Sequence, residues 1–239
     1  MGRVDGLVQT ICGGDDHPLA PALRGWAEDS RPWPAFAEAN AAKIRKKVRT
    51  SPSGEELQDL LAELAVAALL VRDRRFTVVY EPRREPGERG PDLGVTFRTH
   101  TPFSVEVTRL RLPGEIGAEA AALRLARALC DKVGQLPPGS ANLLAVALPP
   151  GSATNTLVPA AVRLLGRASG PGAGVPPPGW WPEGVRAFAR GRGRLSAALL
   201  CALTPGGQPA DVRLWLNPQA RHPLPPEVAR FLLGAPAPQ

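Results

Sequence analysis

The chain has 239 residues, a formal net charge of +7 and a pI near 10. That length suits one domain with decorations and buries a substantial core without disulfides or a structural metal. Three widely spaced cysteines, Cys12, Cys130 and Cys201, form no CxxC pair, which argues against a disulfide framework or a zinc cluster.

Residues 1–34 mix Gly, Pro and polar residues around Trp26 and Trp33, and read as a loosely structured lead-in with a short helix at Pro21–Glu28. The start shows no secretory leader, and the longest apolar run, Leu64–Val71, is far too short to span a bilayer. A cytoplasmic protein without membrane contact is the expectation. Residues 35–49 read as a helix that becomes strongly basic at its C-terminal end. Cations there suit the helix dipole, and they equally suit a phosphate backbone.

Ser53 and Glu56 have the spacing of a capping box. The helix they open runs to about Val71, with Leu57, Leu60, Leu61, Leu64, Ala68 and Val71 at helical spacing. Strand-like segments follow at Phe76–Tyr80, Asp92–Phe97 and Phe103–Leu110, rich in β-branched and aromatic residues. Glu81–Gly90 reads as a charged loop and residues 98–102 as a hairpin connection. A helix is expected over Ala118–Gln135, with Ala122, Leu125, Leu129 and Val133 on its core face. Leu143–Leu148 is a continuous apolar run, the pattern of a strand buried on both faces.

Residues 166–195 read as a long Pro/Gly-rich excursion with a short helix near Val185–Arg190. Two strands, Ser196–Leu203 and Val212–Leu216, and a final helix, Pro226–Leu233, complete the chain. The reading is an α/β protein: a helical N-terminal extension over 1–50, then a domain over 51–239 with its core at about 55–150 and a C-terminal elaboration over 151–239.

The basic residues are unevenly divided. Of 29, only four are lysines: Lys43, Lys46 and Lys47 in one cluster, and Lys132 alone in the rest of the chain. A lone lysine in an arginine-biased chain is a candidate for chemistry. The basic balance fits a polyanionic partner, bound with counterion release.

Asp92 opens one strand and Glu106 lies within its expected hairpin partner. Antiparallel neighbours bring two such carboxylates together, and hard oxygen donors suit Mg²⁺ or Mn²⁺. By period-two alternation Glu106 shares a face with Ser104 and Thr108, while Arg109 points to the other face. A glutamate within an apolar strand is costly to desolvate unless something pairs with it. The plain alternative is Asp92 as a turn residue after Pro91 and Glu106 in an ion pair with Arg109 or Arg111.

Pro91-Asp92, Glu106-Val107-Thr108, the helical Glu63 and the order helix, three strands, helix, strand resemble the PD-(D/E)XK nuclease superfamily, whose fold is restriction-endonuclease-like. The resemblance covers about residues 55–150. It implies an αβββαβ core and a metal site of Asp92, Glu106 and Glu63 acting on nucleic acid, with DNA the expected substrate. The family's usual lysine, two residues after the Glu, is Thr108 here. Migration of that lysine to the next helix is known in the superfamily, which makes Lys132 the candidate replacement and puts Gln135, three residues on, beside it.

A metal-dependent DNA nuclease is therefore the first expectation. A catalytically inactive nuclease-fold module that binds nucleic acid, or regulates a larger system, is the alternative, motivated by Thr108. Many enzymes of this fold act as dimers, so a homodimer is an open expectation. Tyr80 reads equally as a core residue; Trp180-Trp181 read first as packing the long loop onto the core and second as a surface to stack on bases; Arg190, Arg192 and Arg194 have the spacing to line a phosphate track.

Overall fold

The computed structural model describes residues 2–51, 53–82, 90–112, 114, 116–152, 155–169 and 182–234. Trp180-Trp181 lie outside the described residues.

Six strands form one mixed sheet in sequential order: β1 (Phe76–Tyr80), β2 (Leu93–Phe97), β3 (Thr101–Arg109), β4 (Ala141–Leu148), β5 (Ala197–Leu203) and β6 (Pro209–Leu216). β1, β2 and β3 make an antiparallel meander. β3, β4 and β5 run parallel, and β6 returns antiparallel to β5. A parallel neighbour requires a crossover. The helix α5 (Ala118–Val133) supplies the one from β3 to β4, and α6 (Leu157–Ser169) and α7 (Pro182–Gly191) lie between β4 and β5.

The two faces of the sheet carry separate cores, and the pleat decides which residue enters which. Leu143, Ala145 and Ala147 of β4 join one cluster; Leu144, Val146 and Leu148 join the other. Both sets are needed because both faces are covered, which is why this strand is apolar throughout. One face packs against α1 (Arg3–Cys12), α2 (Ala20–Asp29), α3 (Trp33–Thr50), α4 (Gly54–Val71) and α8 (Pro226–Leu233). The other packs against α5, α6 and α7. Among the described residues no helix is long and apolar enough to cross a membrane.

The expected capping box is present: Ser53 Oγ accepts from the Glu56 N–H at 3.2 Å, and Glu56 Oε2 accepts from the Ser53 N–H at 3.3 Å. Two expectations need correction. The short helix expected at Pro21–Glu28 is α2, but residues 1–34 are not a loose lead-in: α1 precedes it, and Leu7, Val8, Ile11, Leu23 and Trp26 are buried in the core of α4 and the sheet. Small residues and prolines hide the periodicity there, while the large side chains carry the burial. Likewise the sequence reading assigns no element to 149–165 and begins its Pro/Gly-rich excursion at 166. The structure has α6 at Leu157–Ser169, anchored by Leu157, Val158, Ala161 and Leu165.

Candidate active site at the end of the β2–β3 ladder

β2 pairs with β3 from Phe97/Thr101 to Leu93/Val105 and no further, while β3 continues along β4 to Arg109. From Glu106 onward the outer edge of β3 therefore lacks a strand partner among the described residues. Backbone groups freed this way need other acceptors. Asp92, the residue before β2, supplies one: its Oδ2 accepts from the Val107 N–H at 2.7 Å. Asp92 and Glu106 thus meet where the two strands part.

Glu106 is 5% exposed, on the α5 side of the sheet. Its Oε1 lies 2.7 Å from Lys132 Nζ in the last turn of α5. This pair resolves the cost of a glutamate in an apolar strand. It also replaces the plain alternative: Arg109 and Arg111 pair with Glu55 and Asp59 of α4 instead. Arg109 does point away from Glu106, as alternation requires.

Glu63 approaches from α4. Its Oε2 accepts from Tyr80 Oη at 2.7 Å and from Lys47 Nζ at 2.6 Å. Lys47 also reaches Glu81 Oε1 at 2.9 Å, and Lys43 donates to the carbonyls of Tyr80 and Glu81 at 2.5 and 2.8 Å. These contacts hold Glu81 in the left-handed region, φ 44°, a conformation that costs a non-glycine residue about 1–2 kcal/mol. The Glu81 N–H donates to Asp92 O at 2.8 Å, which fixes the start of β2 against the end of β1.

The result is a row, Lys47–Glu63–Asp92–Glu106–Lys132, with a lysine at each end and three carboxylates between. Burial raises the Glu63 carboxyl above its ordinary value, and the charge of Asp92 raises it further, against Lys47 and Tyr80. Burial likewise raises Asp92, followed by the charge of Glu106, against the Val107 N–H and the lysines. Burial pushes Lys47 down, but Glu63 and Glu81 outweigh it and its value is raised. The Tyr80 phenol is raised by burial and then by Glu63, so it stays protonated as a donor.

A cavity of about 390 Å³ opens beside this row, lined by Asp59, Glu63, Asp92, Val107, Thr108, Arg109, Arg111 and Lys132. Thr108 thus stands at the cavity. Gln135 does not reach it: α5 ends at Val133, Gln135 is exposed in the turn beyond, and its side chain donates to Asp131 O at 3.1 Å. The three-residue spacing from Lys132 places two groups together only while the helix lasts. The basic end of α3 also divides. Lys43 and Lys47 turn inward, and Arg45, Lys46 and Arg49 stay exposed.

Lys47 and Tyr80 are the residues that sequence reasoning left outside the site. A signal was present. The scarcity of lysine singles out the 43–47 cluster as well as Lys132, and three of the four lysines bind the site or the segment beside it.

Among the described residues no group of three or more His, Cys, Asp and Glu side chains is set to hold a metal ion. Mg²⁺ asks for less, since one or two carboxylates with waters and substrate oxygens suffice. Asp92 and Glu106 fit that demand: hard oxygen donors, Glu106 buried and Asp92 half-buried, with the charge of Glu106 adding to the cost of ionising Asp92. The chain matches no family model, no curated protein and no solved structure.

Proposed function

We propose that α4-β1-β2-β3-α5-β4 is a restriction-endonuclease-like core and that the protein is a metal-dependent nuclease hydrolysing phosphodiester bonds of DNA. The observation that carries this reading is the meeting of Asp92 and Glu106 at the end of the β2–β3 ladder, with Lys132 Nζ 2.7 Å from Glu106.

Asp92 and Glu106 are the residues to hold Mg²⁺ or Mn²⁺, with Glu63 behind Asp92. When bound, such an ion supplies Lewis acidity and a more acidic water. The chain's own residues prepare the site. The Val107 N–H orients Asp92. Lys47 and Tyr80 fix Glu63 and limit its repulsion of Asp92. Lys132 brings to the cavity the positive charge that Thr108 lacks, beside the place where a phosphate gains negative charge. Thr108 offers a hydroxyl donor at the same wall.

One observation favours a second reading, a nucleic-acid-binding module without catalysis. Thr108 stands where the resembled family carries its lysine, and Lys132 is engaged by Glu106.

A cleavage assay on plasmid and single-stranded DNA with Mg²⁺ or Mn²⁺ decides between them. It is run beside Asp92→Ala, Glu106→Ala and Lys132→Ala. Cleavage by wild type and its loss in all three variants supports the nuclease with Lys132 in the active site. Cleavage that survives Lys132→Ala keeps the nuclease and removes the lysine's role. A folded wild-type protein that cuts neither substrate leaves the binding module.

A further inference from the structure

The open edge of β3 does not end at the carboxylates. Past Thr108 the strand ends at Arg109, with Arg111 two residues on, and a second cavity of about 620 Å³ adjoins the first there, sharing both arginines. Its far wall includes Arg124 of α5. The two cavities share this arginine pair, and α4 and α5 each contribute to the lining of both.

The arginines are held in a particular way. Arg109 Nε donates to Asp59 Oδ1 at 2.8 Å and its Nη2 to Glu55 Oε2. Arg111 Nε lies 2.9 Å from Glu55 Oε2 and its Nη2 2.9 Å from Asp59 Oδ2. Two carboxylates are therefore each shared between two guanidinium groups. Arg124 donates to the Arg111 carbonyl at 3.4 Å and has no carboxylate partner among the described residues. Three positive charges face two negative ones, an excess that favours an additional anion.

The acidic partners are open to solvent. Glu55 and Asp59 are 60% and 43% exposed, and Arg111 is 57% exposed. Exposed ion pairs are individually weak, so the contacts of Arg111 are the ones an incoming anion replaces most readily, while Arg109, 19% exposed, stays held. Guanidinium forks match phosphate oxygens in the bidentate way they match carboxylates.

We propose that Arg109, Arg111 and Arg124 form a phosphate subsite beside the carboxylate site, with Glu55 and Asp59 occupying two of its arginines until a nucleic-acid backbone replaces them. This rests on the nucleic-acid reading above and adds the direction of the strand: along the β3 edge, from Lys132 toward Arg124.

The test is the binding of a labelled single-stranded DNA oligonucleotide, read by fluorescence anisotropy in EDTA between about 50 and 200 mM KCl. Arg111→Ala/Arg124→Ala removes two exposed contacts. It is expected to weaken binding about tenfold and to lower the slope of log K against log salt by about 1.4, or about 0.7 per phosphate lost. Glu55→Gln/Asp59→Asn is expected to tighten binding about fivefold, because two competing anions are gone. Arg74→Ala/Arg230→Ala removes the same charge from exposed positions elsewhere and keeps the wild-type slope. A slope for Arg111→Ala/Arg124→Ala equal to that of this control overturns the subsite, as does wild-type protein that does not bind the oligonucleotide. Cleavage is scored separately in Mn²⁺. A protein that binds through these arginines without cutting sinks the nuclease reading and supports the subsite. One that cuts with an unchanged slope in the variants sinks the subsite and keeps the nuclease.

Discussion

Lys132 Nζ lies 2.7 Å from Glu106 Oε1, so the one lysine beyond residue 47 is bound to the one buried carboxylate of β3. The pair links the crossover helix α5 to the point where β2 leaves β3. It stabilises the sheet and charges the candidate site together, and the two roles separate experimentally.

Removing one partner leaves the other charge buried. Lys132→Ala is expected to cost about 2 kcal/mol, less than a fully buried pair because the lysine keeps some contact with water. Glu106→Gln/Lys132→Met is expected to recover most of that stability in urea denaturation and, on the proposed nuclease reading, to abolish cleavage. A double variant no more stable than Lys132→Ala would show that the pair is not what holds Glu106.

The pH dependence of stability carries the signature of Asp92. Its folded-state value is raised by burial and by Glu106, so the folded protein keeps this proton longer than the unfolded chain does. The stability contributed is fully present below the unfolded value and is lost as pH rises toward the folded one. Asp92→Asn retains an acceptor for the Val107 N–H and removes the charge. Thermal melts are expected to show Asp92→Asn gaining on wild type between about pH 4 and pH 7. A constant difference across that range refutes this electrostatic account.

Millimolar MnCl₂ is expected to raise the melting temperature of wild type and not that of Asp92→Asn/Glu106→Gln. At a free ion concentration of about 100 times Kd the gain is about 2.7 kcal/mol. Equal shifts in both proteins would place any bound ion elsewhere.

The buried tryptophans of the N-terminal helices differ in one hydrogen bond. Trp26 Nε1 donates to Gly207 O at 3.2 Å, whereas Trp33 Nε1 is buried without an acceptor among the described residues. Both rings are almost fully buried and stack edge to face at 4.9 Å. Each Trp→Phe change removes similar volume, so Trp26→Phe is expected to cost about 1 kcal/mol more than Trp33→Phe. Urea denaturation of the two variants measures the difference, and the opposite order contradicts it.

The sequence by itself determined the elements whose signal is local. The Ser53 cap, the strands from Phe76 to Arg109, the fully apolar β4 and the last helix all follow from capping chemistry and period-two or period-3.6 patterns within a few residues. It also determined that Glu106 and Arg109 face opposite ways and that Lys132 was conspicuous. Only the tertiary structure decided which groups meet. Glu63 is held by Lys47 from a different helix, Asp92 caps Val107 because the β2–β3 ladder stops at Leu93/Val105, one residue short of Asp92, and Gln135 misses the site because α5 ends two residues earlier. The same limit hid α1, whose Leu7, Val8 and Ile11 are buried in the core cluster they share with α4. Local patterns report a residue's own backbone and face. Partners brought together across the sheet depend on where strands part and helices end, and no short window of sequence contains that.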